Sequence, residues 1–237
     1  MKKVLIFGDS HSSFFRPQPL GSLWTGSTHE IKTQVIAGAT IRGFGKRVSS
    51  LNVKERIIEV ANLGDVVVLC FGQVDIELGL YYRRVVKKVT ESDHAFMLDC
   101  ISAYQQLLDV LLSRSIGVVI KGLNYPALVS QDAAVKYTTK IIKSNISDED
   151  EARQLTRKLK KELPGIMERI NLTRQFNLML HMLASQNGLP YFDINDHIAY
   201  PNGLIREEFL RSTADNHICD SIKTRIIHLE CLNKVLG

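Results

Sequence analysis

The sequence contains no long hydrophobic run, although 45% of its 237 residues are hydrophobic. The first apolar run, Val4 to Phe7, is four residues long and ends at Gly8-Asp9. A secretory signal needs about 7–15 apolar residues in a row, and a membrane span needs about 20. We therefore expect a chain without a membrane span, folded around one sizeable core in the cytoplasm.

Cysteine is scarce, and its spacing does not fit a zinc site. Cys70, Cys100, Cys219 and Cys231 form no C-x-x-C pair, which suits a reducing compartment. The chain also lacks G-x-G-x-x-G and G-x-x-x-x-G-K-[ST] after any predicted strand. These glycine patterns bind dinucleotides and nucleotide phosphates. We expect no metal and no cofactor.

Charge of one sign is not concentrated anywhere in the chain. Lys and Arg number 30 against 25 Asp and Glu, a net charge of +5. The basic residues form short runs, and the run from Arg157 to Lys161 follows the acidic stretch Asp148 to Glu151. A nucleic-acid-binding surface would concentrate basic and aromatic residues on one face. We expect no nucleic-acid partner.

Short apolar runs that alternate with longer amphipathic segments predict the architecture. Apolar residues at steps of three and four predict helices over 93–114 and 166–186, and 219–236 is also predicted to be helical. Ser92 or Asp93 is expected to cap the first helix, and Gly188 to end the second. The alternation predicts an α/β fold, a parallel sheet with helices on both faces. The predicted strands are Val4 to Phe7, Ile31 to Ile36, Val66 to Phe71, Gly117 to Ile120 and Tyr191 to Ile194.

One connection is longer than an ordinary loop. Residues 127–165 lie between the strand that begins at Gly117 and the next core helix. The end of this segment, Asp148 to Leu163, is heavily charged and predicts a solvated helix. We treat 1–237 as a single domain with a charged helical insertion at about 127–165. The insertion is either a surface excursion, the commoner outcome, or a lid or oligomer contact.

The end of the first strand carries a candidate nucleophile. In an open parallel sheet, ligand sites collect at the carboxyl ends of the strands. The first strand ends at Gly8-Asp9-Ser10-His11. A serine at a sharp strand-to-helix turn suits a nucleophile that forms a tetrahedral oxyanion. A serine that merely caps a helix after an ordinary turn would give the same tetrapeptide.

The next two strand ends offer groups to the same crevice. Gly38 follows the second strand, where a glycine lets the backbone approach a ligand and offer its N–H to an oxyanion. A simple turn glycine is the commoner role of such a residue. The third strand ends at Gly72-Gln73-Val74-Asp75. We expect the polar groups of this segment, together with those of Asp9, to face the crevice beside Ser10.

A serine nucleophile needs a base, and the sequence contains seven histidines. His217 stands in the polar segment Asp215-Asn216-His217, just before the C-terminal helix. A neighbouring carboxylate, for which Asp215 is the nearest candidate, can fix the tautomer of an imidazole and stabilise its protonated form. His11 adjoins Ser10, but adjacent side chains point in different directions. We expect His11 to line the pocket rather than to act as the base.

These blocks, in this order, resemble the SGNH (GDSL) hydrolase family from residue 4 to about residue 220. The family implies a flavodoxin-like three-layer α/β/α sandwich with a central five-stranded parallel sheet. It also implies ester hydrolysis or acyl transfer through a serine acyl-enzyme, without a metal. By this match Ser10 is the nucleophile, His217 is the base, and the N–H groups of Ser10 and Gly38 are oxyanion donors. The blocks are similar to those of a bacterial subgroup with Gly-Asp-Ser-His and Gly-Glu-Ile-Asp, often tied to surface-polysaccharide loci.

Two positions depart from the family pattern. The family's third block is usually Gly-x-Asn-Asp, and its asparagine is the third oxyanion donor. This chain has Val74 there, which cannot donate, and losing one donor costs about 2.7–4 kcal/mol. Either activity is weak, or Gln73 or Asn124, at the end of the next strand, replaces the donor.

The second departure lies at the histidine. The family usually has an aspartate three residues before it, where this chain has Ala214. Asp215 is then expected to reach the ring through a different turn. The alternatives are that Asp220 or a backbone carbonyl orients His217, or that the site is a Ser–His dyad.

Together these residues predict a serine esterase that acts on an acyl ester of a carbohydrate or another small molecule, with acetyl as the expected acyl group. An O-acyltransferase acting on a surface glycan would form the same acyl-enzyme and use a sugar hydroxyl in place of water. A glycan-binding protein that keeps the fold without turnover is a further alternative, because Val74 removes a donor. The retained pair of Ser10 and His217 favours catalysis, since a binding protein has no physical need for it.

Overall fold

Parallel strands form one sheet at the centre of the molecule. The computed structural model describes residues 3–16, 29–44, 51–143, 149–212 and 215–237. These residues contain five strands, in the spatial order β2-β1-β3-β4-β5 and all parallel. The last strand ends two residues earlier than predicted, where Asp193 Oδ1 accepts a hydrogen bond from the Asn195 N–H at 2.9 Å. The strands are β1 (Lys3–Gly8), β2 (Glu30–Val35), β3 (Val66–Cys70), β4 (Gly117–Lys121) and β5 (Tyr191–Phe192).

Helices cover both faces of this sheet. In chain order they are α1 (Val53–Val60), α2 (Leu80–Val85), α3 (Asp93–Ser113), α4 (Gln131–Ile142), α5 (Glu149–Glu162), α6 (Ile166–Gln186), α7 (Asn195–Ile198) and α8 (Ile222–Leu236). Side chains of α1, α3 and α6 pack on one face. Side chains of α7, α8 and the 3-10 helix Ser10–Phe15 pack on the other. This arrangement confirms the predicted flavodoxin-like three-layer α/β/α sandwich.

The strands are buried on both faces, so consecutive residues enter different cores. In β1, Leu5 and Phe7 join the core with α3, whereas Val4 and Ile6 join the core with α8. None of these four side chains is more than 2% exposed. Successive residues of a strand point to opposite faces. A sheet covered on both faces therefore requires the continuous apolar runs seen in the sequence.

The predicted core helices begin and end at their expected capping residues. The Ser92 hydroxyl accepts a hydrogen bond from the Ala95 N–H at 3.1 Å, which caps the start of α3. Gly188 follows α6 with a φ of +64°. The C-terminal helix starts at Ile222, three residues later than predicted, and Ser221 caps it.

The insertion at 127–165 forms α4 and α5; residues 144–148, which include the predicted Asp148, lie outside the described part. Helix α5 has the expected charged, exposed face. Its other face is apolar, and Leu155, Leu159 and the following Leu163 are buried in the core. Arg169 of α6 anchors the start of the insertion, donating to the Leu128 carbonyl at 2.6 Å. The insertion is therefore packed onto the sandwich through the apolar face of α5.

Helix α3 is the one helix, among the described residues, that is long and apolar enough to cross a membrane by length and composition alone. Buried core helices of soluble proteins pass the same test. In α3, Phe96, Tyr104 and Leu108 are buried against the sheet, while Asp99 and Asp109 are exposed. The helix is accordingly part of the sandwich described here.

Candidate active site

The carboxyl ends of β1, β2 and β3 place Ser10, Gly38 and Val74 around one cleft. These residues are far apart in sequence, but parallel strands end at the same edge of a sheet. Asn216, beside His217 near the C-terminus, lines the same cleft. The topology therefore collects three of the predicted blocks and the histidine segment at one place.

Ser10 begins a 3-10 helix at a sharp turn directly after β1. The turn requires Gly8, because a Cβ there would lie 2.5 Å from the Cys70 carbonyl oxygen of the neighbouring strand. The Asp9 carboxylate caps the helix, accepting a hydrogen bond from the His11 N–H at 2.9 Å. The first N–H groups of a helix have no partner within it. The Ser10 N–H thus lies where negative charge is favoured.

Ser10, His217 and Asp215 form a continuous hydrogen-bonded chain. Ser10 Oγ lies 2.7 Å from His217 Nε2, and His217 Nδ1 lies 2.5 Å from Asp215 Oδ1. This is the arrangement expected of a nucleophile, its base and the group that orients the base. Because Asp215 accepts at Nδ1, the neutral ring carries its proton there and presents the lone pair of Nε2 to the Ser10 hydroxyl.

Asp215 reaches the ring from only two residues away through a tight local turn. The oxygen that faces Nδ1 also accepts the His217 backbone N–H, at 3.1 Å. The other carboxylate oxygen accepts a hydrogen bond from Arg211 Nη1 at 2.7 Å, and Arg211 Nε donates to the Ile218 carbonyl at 3.2 Å. Both oxygens of Asp215 are therefore held in place. Ala214 lies outside the described residues.

His11 packs against the ring of His217. The two ring centroids are 4.2 Å apart and the planes meet at 19°. His11 Nδ1 lies 3.1 Å from Asp9 Oδ1. Asp9 therefore orients the ring of His11 and not the ring of His217, which contacts Ser10. Asp9 and His11, which the sequence predicts to line the pocket, line a small inner cavity and are not among the residues that line the cleft.

Burial and neighbouring charges give the two imidazoles different acidities. Burial lowers the pKa of His217 below its ordinary value of 6.5, and the adjacent His11 lowers it further against the opposing effect of Asp215. Burial alone would also lower the pKa of His11, but the hydrogen bond and charge of Asp9 and the charge of Glu77 raise it above 6.5. His217 therefore loses its proton at a lower pH than His11 does, and a general base must be neutral to accept a proton.

Gly38 occupies the turn after β2 with a φ of +74°. This left-handed conformation is open to glycine and strained for other residues. No atom lies within 4 Å of the position that a Cβ would take, so the dihedral angle, not the available space, requires glycine here. Gly38 lines the cleft together with Ser10, which makes its N–H the second candidate oxyanion donor.

The cleft beside Ser10 has a volume of about 450 Å³. Its wall is largely apolar, formed by Val74, Leu78, Tyr82, Ile141 and Ile142. The last two belong to α4, so the insertion builds part of the candidate site.

The inner cavity is lined by both polar and apolar residues. Its lining includes Gln73 and Lys121. Lys121 Nζ donates to the Gly122 carbonyl at 2.8 Å and to Asn124 Oδ1 at 3.0 Å, and burial lowers the pKa of this ammonium group. Across the described parts of the chain, no three His, Cys, Asp or Glu side chains are grouped so that they could hold a metal ion.

Solved structures of ester-cleaving enzymes are similar to this chain over most of its length. An acetyl xylan esterase, AlAXEase, is 18% identical with a TM-score of 0.57, covering 98% of this chain and 99% of that chain. A catalytic mutant of Axe2, an acetylxylan esterase from Geobacillus stearothermophilus in which a serine is replaced by alanine, is 12% identical with a TM-score of 0.56, covering 100% and 94%. A GDSL-like lipase from Bacteroides thetaiotaomicron is 12% identical with a TM-score of 0.51, covering 98% and 86%.

The chain has the SGNH (GDSL) hydrolase fold. No protein-family model matches it, and no curated protein matches it. The resemblance read from the four sequence blocks is thus confirmed at the level of fold.

Gln73 and Asn124, the two residues expected to replace the third oxyanion donor, lie at the ends of β3 and β4. Gln73 Nε2 donates to Glu77 Oε1 at 2.9 Å and to the Asn124 carbonyl at 3.0 Å, while Gln73 Oε1 accepts the Asn124 N–H at 3.0 Å. Both side chains are buried and lie outside the lining of the cleft. The Gln73 side chain joins the ends of β3 and β4, and Asn124 Oδ1 accepts a hydrogen bond from Lys121 Nζ at 3.0 Å. Of the residues predicted to supply oxyanion donors, Ser10 and Gly38 line the cleft.

Asp75, the aspartate of the third SGNH block, anchors backbone instead of facing the cleft. Its Oδ2 accepts the Ile41 N–H at 2.8 Å, and its Oδ1 accepts the Arg42 N–H at 3.4 Å. Burial raises the pKa of Asp75 to about 7. This carboxyl ties the third block to the short helix Ile41–Gly43 that follows the Gly38 turn, and so positions that turn. A direct contact of Asp75 with substrate, as expected from the sequence, does not fit this placement.

Three further side chains hold the histidine segment of the candidate site in place. Asn216 Nδ2 donates to Glu77 Oε2 at 2.9 Å, and the Tyr137 hydroxyl donates to Asn216 Oδ1 at 2.8 Å. Glu77 lies one helical turn after Gln73, a spacing that marks it as a partner of that amide. The contact between Tyr137 and Asn216 spans 79 positions, and no local pattern could reveal it.

Proposed function

We propose that this chain is a serine esterase with Ser10 as its nucleophile and His217 as its base. One observation carries the proposal: the chain of hydrogen bonds from Ser10 through His217 to Asp215, with distances of 2.7 and 2.5 Å, at the edge of a cleft. The esterases and the lipase that share the fold support ester chemistry as the reaction class.

In the proposed reaction the Ser10 hydroxyl attacks the acyl carbonyl while its proton passes to His217 Nε2. Negative charge develops on the carbonyl oxygen, and the N–H groups of Ser10 and Gly38 donate hydrogen bonds to it. The tetrahedral intermediate collapses as His217 gives its proton to the leaving alcohol, and the acyl group remains on Ser10. A water molecule, deprotonated by His217, then attacks the acyl carbon, and the acid leaves as His217 returns the proton to Ser10 Oγ. Asp215 keeps the Nδ1 proton in place and stabilises the imidazolium.

The openness of the cleft favours water as the second reactant. Ser10 is partly exposed, and Tyr82 and Ile141 in the wall of the cleft are 36% and 42% exposed, so water can reach an acyl group on Ser10. The acetyl xylan esterases among the similar structures support a carbohydrate as the alcohol part of the ester. Transfer of the acyl group to a sugar hydroxyl would proceed through the same acyl-enzyme, and added sugar alcohols would then compete with water for it.

A fluorescent fluorophosphonate tests the proposal directly. Such probes react irreversibly with an activated serine. We expect the wild-type chain to be labelled and Ser10→Ala to be unlabelled, because the alanine variant lacks the hydroxyl that His217 activates. Ser13→Ala is the matched control, three residues along the same helix, and should label as the wild type does. Absence of labelling in well-folded wild type, or labelling that persists in Ser10→Ala, would refute the assignment.

The pH dependence of the reaction should follow His217. The base must be neutral, and its pKa lies below 6.5, so kcat/KM is expected to stay level near neutral pH and to fall as pH drops below 6.5. Replacing the stacked His11 by glutamine removes a positive neighbour. His217 then binds its proton more readily, and the acidic limb should move to higher pH. The measurement is the pH profile of kcat/KM on an activated ester.

The control for this change is His197→Gln, at an exposed position of α7, which should leave the acidic limb where it is. An acidic limb that stays fixed or moves to lower pH in His11→Gln would show that His11 does not set the acidity of His217.

A further inference from the structure

The cleft beside Ser10 is lined by a few polar groups and a larger apolar wall. The polar side chains are those of Ser10, Thr40 and Asn216, and Gly38 also lines the cleft. The Tyr137 hydroxyl is already used, because it donates to Asn216. The rest of the wall is apolar, and none of the described residues that line the cleft carries a charge.

An acetyl group would leave most of this space empty. The cleft measures about 450 Å³, and the share of one water molecule in liquid water is roughly 30 Å³. A methyl group is close to one water molecule in size, so an acetyl ester would use a small fraction of the volume. Sites of this size typically enclose a whole organic group against apolar walls.

The position of His217 decides which half of the ester enters the cleft. The leaving oxygen must lie within hydrogen-bond reach of His217 Nε2, because that atom returns the proton. Gly38, the second candidate oxyanion donor, lines the cleft with Ser10 and Val74, whereas His217 is not among the described residues that line it. This lining favours the acyl group as the occupant of the cleft, with the alcohol nearer His217.

Val74 has a role in this arrangement. It stands where SGNH hydrolases usually have the third oxyanion donor, and it lines the cleft next to Leu78, one helical turn away, and Ile141 of the insertion. A polar amide at this position would lie against the apolar wall. Val74 cannot donate to an oxyanion, but its side chain extends the apolar surface up to the reacting centre.

We propose that the cleft is an acyl-binding site selective for unbranched apolar acyl groups of medium length, such as hexanoyl to decanoyl, rather than acetyl. This inference rests on the proposed function, since it names the acyl group that Ser10 would accept. Helix α4 of the insertion then determines acyl-chain specificity, and Ile141 and Ile142 are the residues of α4 that contact the acyl chain. This differs from the acetyl group expected from the sequence.

A series of p-nitrophenyl esters from acetate to decanoate tests the inference. We expect kcat/KM to rise about fourfold for each added methylene as far as hexanoate or octanoate, which corresponds to about 0.8 kcal/mol per buried CH₂. The bulky variant Ile141→Trp should lower the ratio of kcat/KM for octanoate to that for acetate by at least about tenfold. The matched control is Ile222→Trp, at an exposed position at the start of α8, which should keep the wild-type ratio.

The outcomes separate this inference from the function on which it rests. Hydrolysis that depends on Ser10 but is fastest with acetate, or an unchanged ratio in folded Ile141→Trp, would overturn the acyl site and leave the esterase standing. A chain-length preference found in a series of alkyl acetates, but not in the acyl series, would assign the cleft to the alcohol and also overturn it. Failure of Ser10 to be labelled or to hydrolyse any ester would overturn both.

Discussion

Ser10→Ala, His217→Ala and the double variant are expected to have nearly equal, near-background activity. Each single change should lower kcat by about 10⁶-fold, as in serine hydrolases whose nucleophile and base act as one unit. The reason is the 2.7 Å contact between Ser10 Oγ and His217 Nε2. Without the base the hydroxyl is a poor nucleophile, and without the hydroxyl the base has no proton to take. Once either residue has been replaced, replacing the other therefore causes no further loss of activity.

Steady-state kinetics on the best p-nitrophenyl ester measure this cycle. Ser13→Ala and His197→Gln, which replace the same residue types away from the chain of hydrogen bonds, should retain wild-type kcat. Circular dichroism and thermal unfolding establish that each variant is folded. If the effects of the two single changes multiply in the double variant, the residues act independently and the proposed proton transfer is wrong.

The position of the site was predictable because topology determines it. Ser10, Gly38 and the block that begins at Gly72 each follow an apolar run, and burial on both faces makes such runs visible in one sequence. Once the runs are taken as parallel strands, their carboxyl ends must share an edge. The structure brings Ser10, Gly38 and Val74 to that edge, as the strand assignments require.

The partners of individual polar side chains were not predictable. From the sequence, Gln73 and Asn124 were equally suited to face the crevice, yet the Gln73 side chain bonds the backbone of Asn124, 51 positions away. Asp75 likewise bonds the backbone at Ile41, 34 positions away. The direction of such a side chain depends on its rotamer and on packing between distant elements, which no local pattern encodes. The same holds for α4, whose contribution to the cleft depends on how the insertion folds back.

The sequence offered both Asp215 and Asp220 as the carboxylate that orients His217, and the structure distinguishes between them. Asp215 faces the ring. Asp220 is engaged by Arg225, which donates to its two oxygens at 2.6 and 2.8 Å. Burial alone would raise the pKa of Asp215, but the hydrogen bonds from His217 and the charge of Arg211 hold it below its usual value. Asp215 is therefore ionised at the pH of an assay.

Asp215→Asn is accordingly expected to lower kcat by about 10⁴-fold with little change in the fold. The asparagine amide can donate to Nδ1 and so favour the tautomer that carries its proton on Nε2. That tautomer cannot accept the proton of Ser10. The change should also remove the downfield proton resonance of the Nδ1–H that bridges His217 and Asp215.

Asp220→Asn makes the same substitution five positions further along the chain and should leave kcat within about threefold of wild type, because its carboxylate binds Arg225. Arg211→Gln removes the hydrogen bond to Asp215 Oδ2 and should lower kcat less than Asp215→Asn does. If Asp215→Asn retained more than a tenth of wild-type kcat and the downfield resonance persisted, a backbone carbonyl would have to orient the ring. The site would then be a Ser10–His217 dyad, and the 2.5 Å contact of His217 with Asp215 would serve only to hold the loop.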